Sequence, residues 1–143
     1  MNFRLLLFMH TPLGLKLDKR DVKALLEPEL DPYSREAVRA SMGSIFNVAL
    51  LRMRLERFLA WAGAWKGDII GTYLSAQEDF RAVAYREPTL LVMGSEGPGL
   101  SPAVAAACSR LVKIPMAGCL DSLNLAVATA LVLYEIRRDR LRL

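Results

Sequence analysis

Short runs of consecutive apolar residues alternate along the chain with stretches where apolar residues recur every three or four positions. The first pattern predicts strands and the second predicts helices. Phe3 to Met9, Val22 to Glu27, Ile45 to Leu51, Asp68 to Leu74, Thr89 to Met93 and Leu111 to Ile114 read as strands. Pro28 stops the second of these, and Asp31-Pro32 marks a turn. The helical readings begin with Ser34 to Ser41, ended by Gly43, and Arg54 to Trp65, with Leu55, Phe58, Leu59 and Ala62 on one face. Glu78 to Ala82 reads as a short helical turn. Ser101 caps a helix whose first residue is Pro102 and which runs to about Cys108. The last helix extends from Leu123 to about Arg140, capped by Asp121 or Ser122. Its apolar face is read as Leu123, Val127, Ala130, Leu131 and Tyr134.

Strands that alternate with helices and are apolar throughout predict an α/β fold: a mostly parallel sheet with helices on both faces. Ligands of such sheets bind at the carboxyl ends of the strands. The loops after Met93, Ile114 and Leu74 are therefore the candidates. A length of 143 residues gives one domain, 1–143, large enough to bury a core without disulfides or a structural metal.

Composition narrows the function classes. The chain is 53% hydrophobic and 24% charged, which is globular rather than disordered. A net charge of +4 permits a nucleic-acid partner without requiring one. Two cysteines, Cys108 and Cys119, exclude a disulfide scaffold and fit a reducing compartment. With one histidine they also exclude most zinc sites, and no metal is expected. The apolar run from Leu125 to Tyr134 is shorter than the roughly 18 to 20 residues that span a bilayer, so no membrane is expected. The first nine residues imitate a signal peptide only weakly, since no small-residue cleavage site follows, and they read as a core strand. The expected location is the cytoplasm.

The loop Gly94-Ser95-Glu96-Gly97-Pro98-Gly99-Leu100-Ser101 carries three glycines in six positions, so the backbone can turn sharply and approach a ligand closely. It lacks the lysine of a phosphate loop, and Glu96 would repel phosphate. A neutral or cationic ligand fits better, such as a nucleoside carrying a sulfonium. Alone, the loop is equally well read as a tight strand-to-helix turn. In the second loop, Ser122 and Asn124 stand at a helix start, where they serve equally as caps or as polar groups held toward a pocket.

Leu91-Val92-Met93-Gly94-Ser95-Glu96-Gly97-Pro98-Gly99-Leu100-Ser101 resembles the second signature motif of the SpoU (TrmH-type) RNA methyltransferases of the SPOUT superfamily. Ile114-Pro115-Met116, followed by Asp121-Ser122-Leu123-Asn124-Leu125-Ala126-Val127-Ala128, resembles their third motif. The segment from Leu25 to Gly43 resembles the stretch that follows their first motif. The resemblance implies a C-terminal trefoil knot, an exception to the rule against knots. It implies S-adenosylmethionine as methyl donor, an obligate homodimer, and methylation of a ribose 2′-hydroxyl in ribosomal or transfer RNA. The donor-binding set it implies is Leu74, Gly94, Ser95, Gly99, Ile114, Met116 and Leu123. Asn124 and Ser122 would orient the hydroxyl, and Glu96 would hold an arginine or a loop. Arg39 and Ser41 would contact RNA, or else be a solvated arginine and a helix-ending serine.

One departure bears on activity. The family's first motif, N-x-G-x-x-x-R-x-A, is not found in register between His10 and Arg20, so the region of about residues 8 to 21 is atypical or truncated. The alternative expectation is a catalytically impaired relative that binds donor or RNA without turnover. Trp61 and Trp65 read as core or dimer contacts, Cys108 and Cys119 as unreactive, and His10 as a loop residue. The arginines from Arg137 to Arg142 read as a solvated helix end matched to the dipole.

Overall fold

The structure is a computed structural model that describes residues 6–10, 23–26, 31–47, 49–95, 97–118 and 122–141. In chain order its elements are β1 (Leu6–His10), β2 (Lys23–Leu26), α1 (Arg35–Ala40), β3 (Ala49–Arg52), α2 (Leu55–Ala62), β4 (Asp68–Thr72), β5 (Glu78–Asp79), β6 (Thr89–Met93), α3 (Pro102–Ala107), β7 (Arg110–Lys113) and α4 (Leu125–Arg137). Single 3-10 turns occupy Ser44–Asn47 and Arg138–Arg140.

The seven strands form one sheet in the order β3-β2-β1-β6-β4-β7-β5. Four pairings are parallel: β2 with β3, β4 with β6, β4 with β7, and β5 with β7. Only β1 runs antiparallel, to β2 on one side and β6 on the other. Reversing twice across β1 leaves the other six strands pointing the same way, so their carboxyl ends share one edge. His10, read as a loop residue, ends β1 opposite Thr89.

The apolar run of β6 is buried at every position because the sheet is covered on both faces. Leu90 and Val92 point to one side, where they pack with Phe58 and Ala62 of α2, Ile69 of β4, and Val104 of α3. Leu91 and Met93 point to the other, against Ile70, Val112 and Val132 of α4, with Phe80 and Val83 closing that layer. Burying a side chain of this size contributes about 1.5–3 kcal/mol relative to exposure. Trp61 and Trp65 pack against the first layer, ring centroids 5.0 Å apart, and the Trp65 indole donates to the Asp68 carbonyl. The core reading of this pair holds.

Three expected elements differ. Ile45 to Leu51 is not one strand: Met42 and Gly43 adopt positive φ, a 3-10 turn follows, and the strand starts only at Ala49. Glu78 to Ala82 is not helical. Glu78 and Asp79 join the sheet edge beside β7, and the Asp79 carboxylate accepts the Arg81 backbone N–H, which closes a turn instead. The last helix is capped by Asn124 rather than Asp121 or Ser122, and begins at Leu125. Asp121 lies outside the described residues.

The face of α4 also corrects the sequence reading. The buried side carries Thr129 and Val132, with Leu125, Ala128, Leu133 and Ile136 packed beside them. The face read as core is the outer one: Val127 is 50% exposed, Leu131 42% and Tyr134 63%. At the end of α4, Arg138 pairs with Glu135 at 2.7 Å and Arg140 pairs with Glu87, so these cations are engaged rather than merely solvated.

Candidate functional site

The carboxyl ends of β4, β6 and β7, neighbours in the sheet, open around a cavity of about 530 Å³. Its walls are Thr72 to Ser75 after β4, Gly94, Ser95 and Gly97 to Gly99 after β6, and Lys113, Ile114 and Met116 after β7. Ser122 to Leu125 and Ala128, at the start of α4, close the remaining side.

The loop after β6 folds back on itself. The Gly99 N–H donates to the Ser95 carbonyl at 3.0 Å, and the two residues form an isolated bridge. A Cβ at Gly94 would stand 2.1 Å from the Gly99 carbonyl carbon, so only glycine permits this approach. Gly97 and Gly99 take φ of +91° and +70°, which reverses the chain. Leu100, buried in the core, anchors the loop, and the Ser101 hydroxyl then accepts the Val104 N–H as the cap of α3.

The β4 loop is held to β7 by the Tyr73 N–H, which donates to the Val112 carbonyl at 2.9 Å. At the base of the cavity the Thr72 hydroxyl donates to the Met93 sulfur at 3.5 Å. On the α4 side, the Asn124 Oδ1 accepts the N–H groups of Ala126 at 3.0 Å and Val127 at 3.4 Å. That cap fixes the carboxamide at the cavity wall. Ser122 and Asn124 are both exposed there, as an acceptor entering from solvent requires.

Among the described lining residues Lys113 is the only charged one. The two carboxylates of β5, the strand beside β7, are committed elsewhere. Arg81 grips Asp79 through both oxygens, at 3.0 and 2.6 Å, and holds its carboxyl down at about 2. Arg110 holds Glu78 at 2.8 Å. The other described lining residues are neutral and supply backbone amides, hydroxyls and apolar surface, which suits a neutral or cationic nucleoside.

All seven residues of the expected donor-binding set, Leu74, Gly94, Ser95, Gly99, Ile114, Met116 and Leu123, line this one cavity. So do Ser122 and Asn124. Glu96 lies outside the described residues. Arg39 and Ser41 do not line the cavity: they belong to the connection from β2 to β3, where Arg39 is exposed and the Ser41 hydroxyl donates to the Val38 carbonyl. Sequence reasoning missed Thr72, Tyr73, Ser75 and Lys113. The available signal was their position at the ends of β4 and β7, the strands that meet at the site.

The fold and site define an α/β domain whose glycine-lined loops open a cavity at the carboxyl edge of its sheet. Residues 21–134 match the SpoU rRNA Methylase family, and the chain belongs to that family. It is 40% identical over 106 residues to the putative TrmH family tRNA/rRNA methyltransferase YacO of Bacillus subtilis, covering 71% of this chain and 41% of that protein. It is 44% identical over 74 residues to the tRNA (guanosine(18)-2'-O)-methyltransferase of Aquifex aeolicus, covering 51% of this chain and 35% of the relative. The AdoMet-bound rRNA methyltransferase crystal structure from Sinorhizobium meliloti superposes with a TM-score of 0.78 at 41% identity, over 82% of this chain and 46% of that one. The chain thus spans less than half the length of each of these proteins.

Proposed function

We propose that the chain binds S-adenosylmethionine in this cavity and transfers its methyl group to a ribose 2′-hydroxyl of ribosomal or transfer RNA. The observation that carries the reading is the convergence of the two signature loops on one cavity. The seven donor-binding residues and the polar pair Ser122 and Asn124 share its wall. Family membership and the activities named for the relatives support it.

The site fits the donor. Gly94 lets the Gly99 backbone close against it and so shapes the cavity wall, and the described parts of the loops after β6 and β7 offer backbone groups to an adenosine. Gly94, Ser95, Gly99, Ile114, Met116, Leu123 and Leu74 would hold it. When bound, the donor supplies a methyl group made electrophilic by its sulfonium. A ribose hydroxyl is a weak nucleophile and must lose its proton as its oxygen takes up that methyl. Ser122 and Asn124, at the exposed start of α4, orient the hydroxyl. Their contribution is alignment, which alone is worth orders of magnitude in rate.

Four further properties belong to this reading. The outer stripe of α4, Val127, Leu131 and Tyr134, supports a homodimer, because a soluble chain seldom leaves such a stripe uncovered. Family membership supports the trefoil knot around the third motif. An RNA acceptor supports a cytoplasmic location, and Arg39 and Ser41 remain our candidates for RNA contact.

The direct test is transfer of labelled methyl from S-adenosylmethionine to bacterial ribosomal and transfer RNA, with the label traced to 2′-O-methylribose. A second reading is favoured by one observation: the family's first-motif arginine is absent in register before Arg20. It predicts donor binding without turnover. Label at background for every RNA pool, with S-adenosylhomocysteine still bound, selects that second reading.

A further inference from the structure

We propose that Lys113 recognises the carboxylate at the amino-acid end of the donor and so sets which way the donor lies in the cavity. The inference rests on the donor reading above. Lys113 ends β7 and lines the cavity, where it is exposed and is the only charged side chain among the described lining residues. It sits opposite Asp79 in the β5–β7 pairing, but that carboxylate is already gripped by Arg81, and Glu78 beside it is held by Arg110. Among the described residues no ion pair engages Lys113.

A cation at the wall constrains a ligand that carries two positive groups and one negative. S-adenosylmethionine bears a sulfonium, an ammonium and a carboxylate. Lys113 repels the first two and attracts the third, and this discrimination strengthens wherever water is excluded. The Ala126 and Val127 amides at the start of α4 do not compete for the carboxylate, because Asn124 already occupies them. With the carboxylate drawn toward β7, the sulfonium is kept away from the lysine. The contact is a charge-assisted hydrogen bond from the ammonium Nζ to a carboxylate oxygen.

Isothermal titration of the whole chain with two ligands isolates the contact. S-adenosylhomocysteine carries the carboxylate, and S-adenosyl-3-thiopropylamine is the same molecule without it. Wild type should bind the first about tenfold tighter, equivalent to about 1.4 kcal/mol. Lys113→Met, which keeps the aliphatic stem, should lose that preference by weakening only the first ligand. Lys113→Arg should restore it, and added salt should erode it in wild type but not in Lys113→Met. Equal weakening of both ligands in Lys113→Met, or no change in either, overturns the assignment. So does a variant that binds S-adenosylhomocysteine normally but loses RNA affinity, since the cation would then serve a phosphate. If wild type binds neither ligand, the donor reading itself fails.

Discussion

Asn124 places one carboxamide in two demands at once, capping α4 through Oδ1 while standing at the cavity wall. Alanine removes both functions, so Asn124→Ala should lower stability by about 1 kcal/mol and abolish methyl transfer. Asn124→Asp keeps an oxygen for the cap, and its charge suits the helix N-terminus. It should unfold at the wild-type temperature and still lose transfer, because the amide donor is gone. Thermal unfolding beside a labelled-methyl assay separates the two, and an Asp variant with full activity would reduce Asn124 to a cap. Cys108 makes a contrasting case. Its thiol donates to the Val104 carbonyl, and burial pushes it up to about 12 from an ordinary 9.0. The fold therefore keeps this thiol neutral while the unfolded chain ionises it. Ionisation of Cys108 adds no pH dependence to stability well below pH 9, and it should lower stability as pH rises from 9 toward 12. At pH 8 iodoacetamide should label Cys108 in the native chain far more slowly than in the unfolded chain, as mass spectrometry would read site by site. Equal rates would show that the thiol is not protected.

At the level of elements, α4 shows why part of the fold was legible in sequence and part was not. Strands such as Thr89–Met93 announce themselves, because a run apolar at every position is stable only when both faces are covered. The glycine loops were legible for a related reason: close approach and positive φ leave few residue choices at Gly94, Gly97 and Gly99. The orientation of α4 was not, because the helix is apolar on two sides and periodicity cannot say which one meets the sheet. Thr129, polar in sequence, lies on the buried side, where its hydroxyl donates to the Leu125 carbonyl at 2.6 Å. Thr72, Tyr73 and Lys113 escaped for a different reason. Their place at strand ends was visible, but which strand ends meet at one cavity is set by the register of β4 against β7, a long-range pairing that no local pattern records. The apolar run from Ile45 was misread because Met42 and Gly43 turn the chain and leave Phe46 exposed. The two faces of α4 make opposite predictions. Val132→Ala, on the buried face, should cost about 2 kcal/mol in chemical denaturation. Leu131→Lys, on the outer face, should leave the subunit's fold within about 0.5 kcal/mol yet convert the proposed dimer into monomers, as light scattering would measure. A Leu131→Lys chain of unchanged mass would remove α4 from the dimer contact.

For the whole molecule, the decisive property is that the cavity is assembled from chain segments far apart in sequence. Its wall runs from Thr72 to Ala128 and takes in the ends of three strands and the start of α4. None of these segments makes a site alone, so a ligand that touches all of them binds the folded chain and not the unfolded one. Binding must therefore raise stability by RT ln(1 + [L]/Kd), about 2.7 kcal/mol at a hundredfold excess over Kd. For a domain of this size each kcal/mol moves the melting temperature by roughly 2–4 °C. S-adenosylhomocysteine at that excess should thus raise the melting temperature by about 5–10 °C, and Gly94→Ala, which drives a Cβ into the Gly99 backbone, should abolish the shift. A shift of that size in a chain that transfers no methyl would locate the defect in acceptor activation, upstream of β2 where the first motif departs from the family pattern. The absence of any shift from a cooperatively folded chain would mean that the loops keep the family's sequence without forming its donor site, and the methyltransferase reading would fall with it.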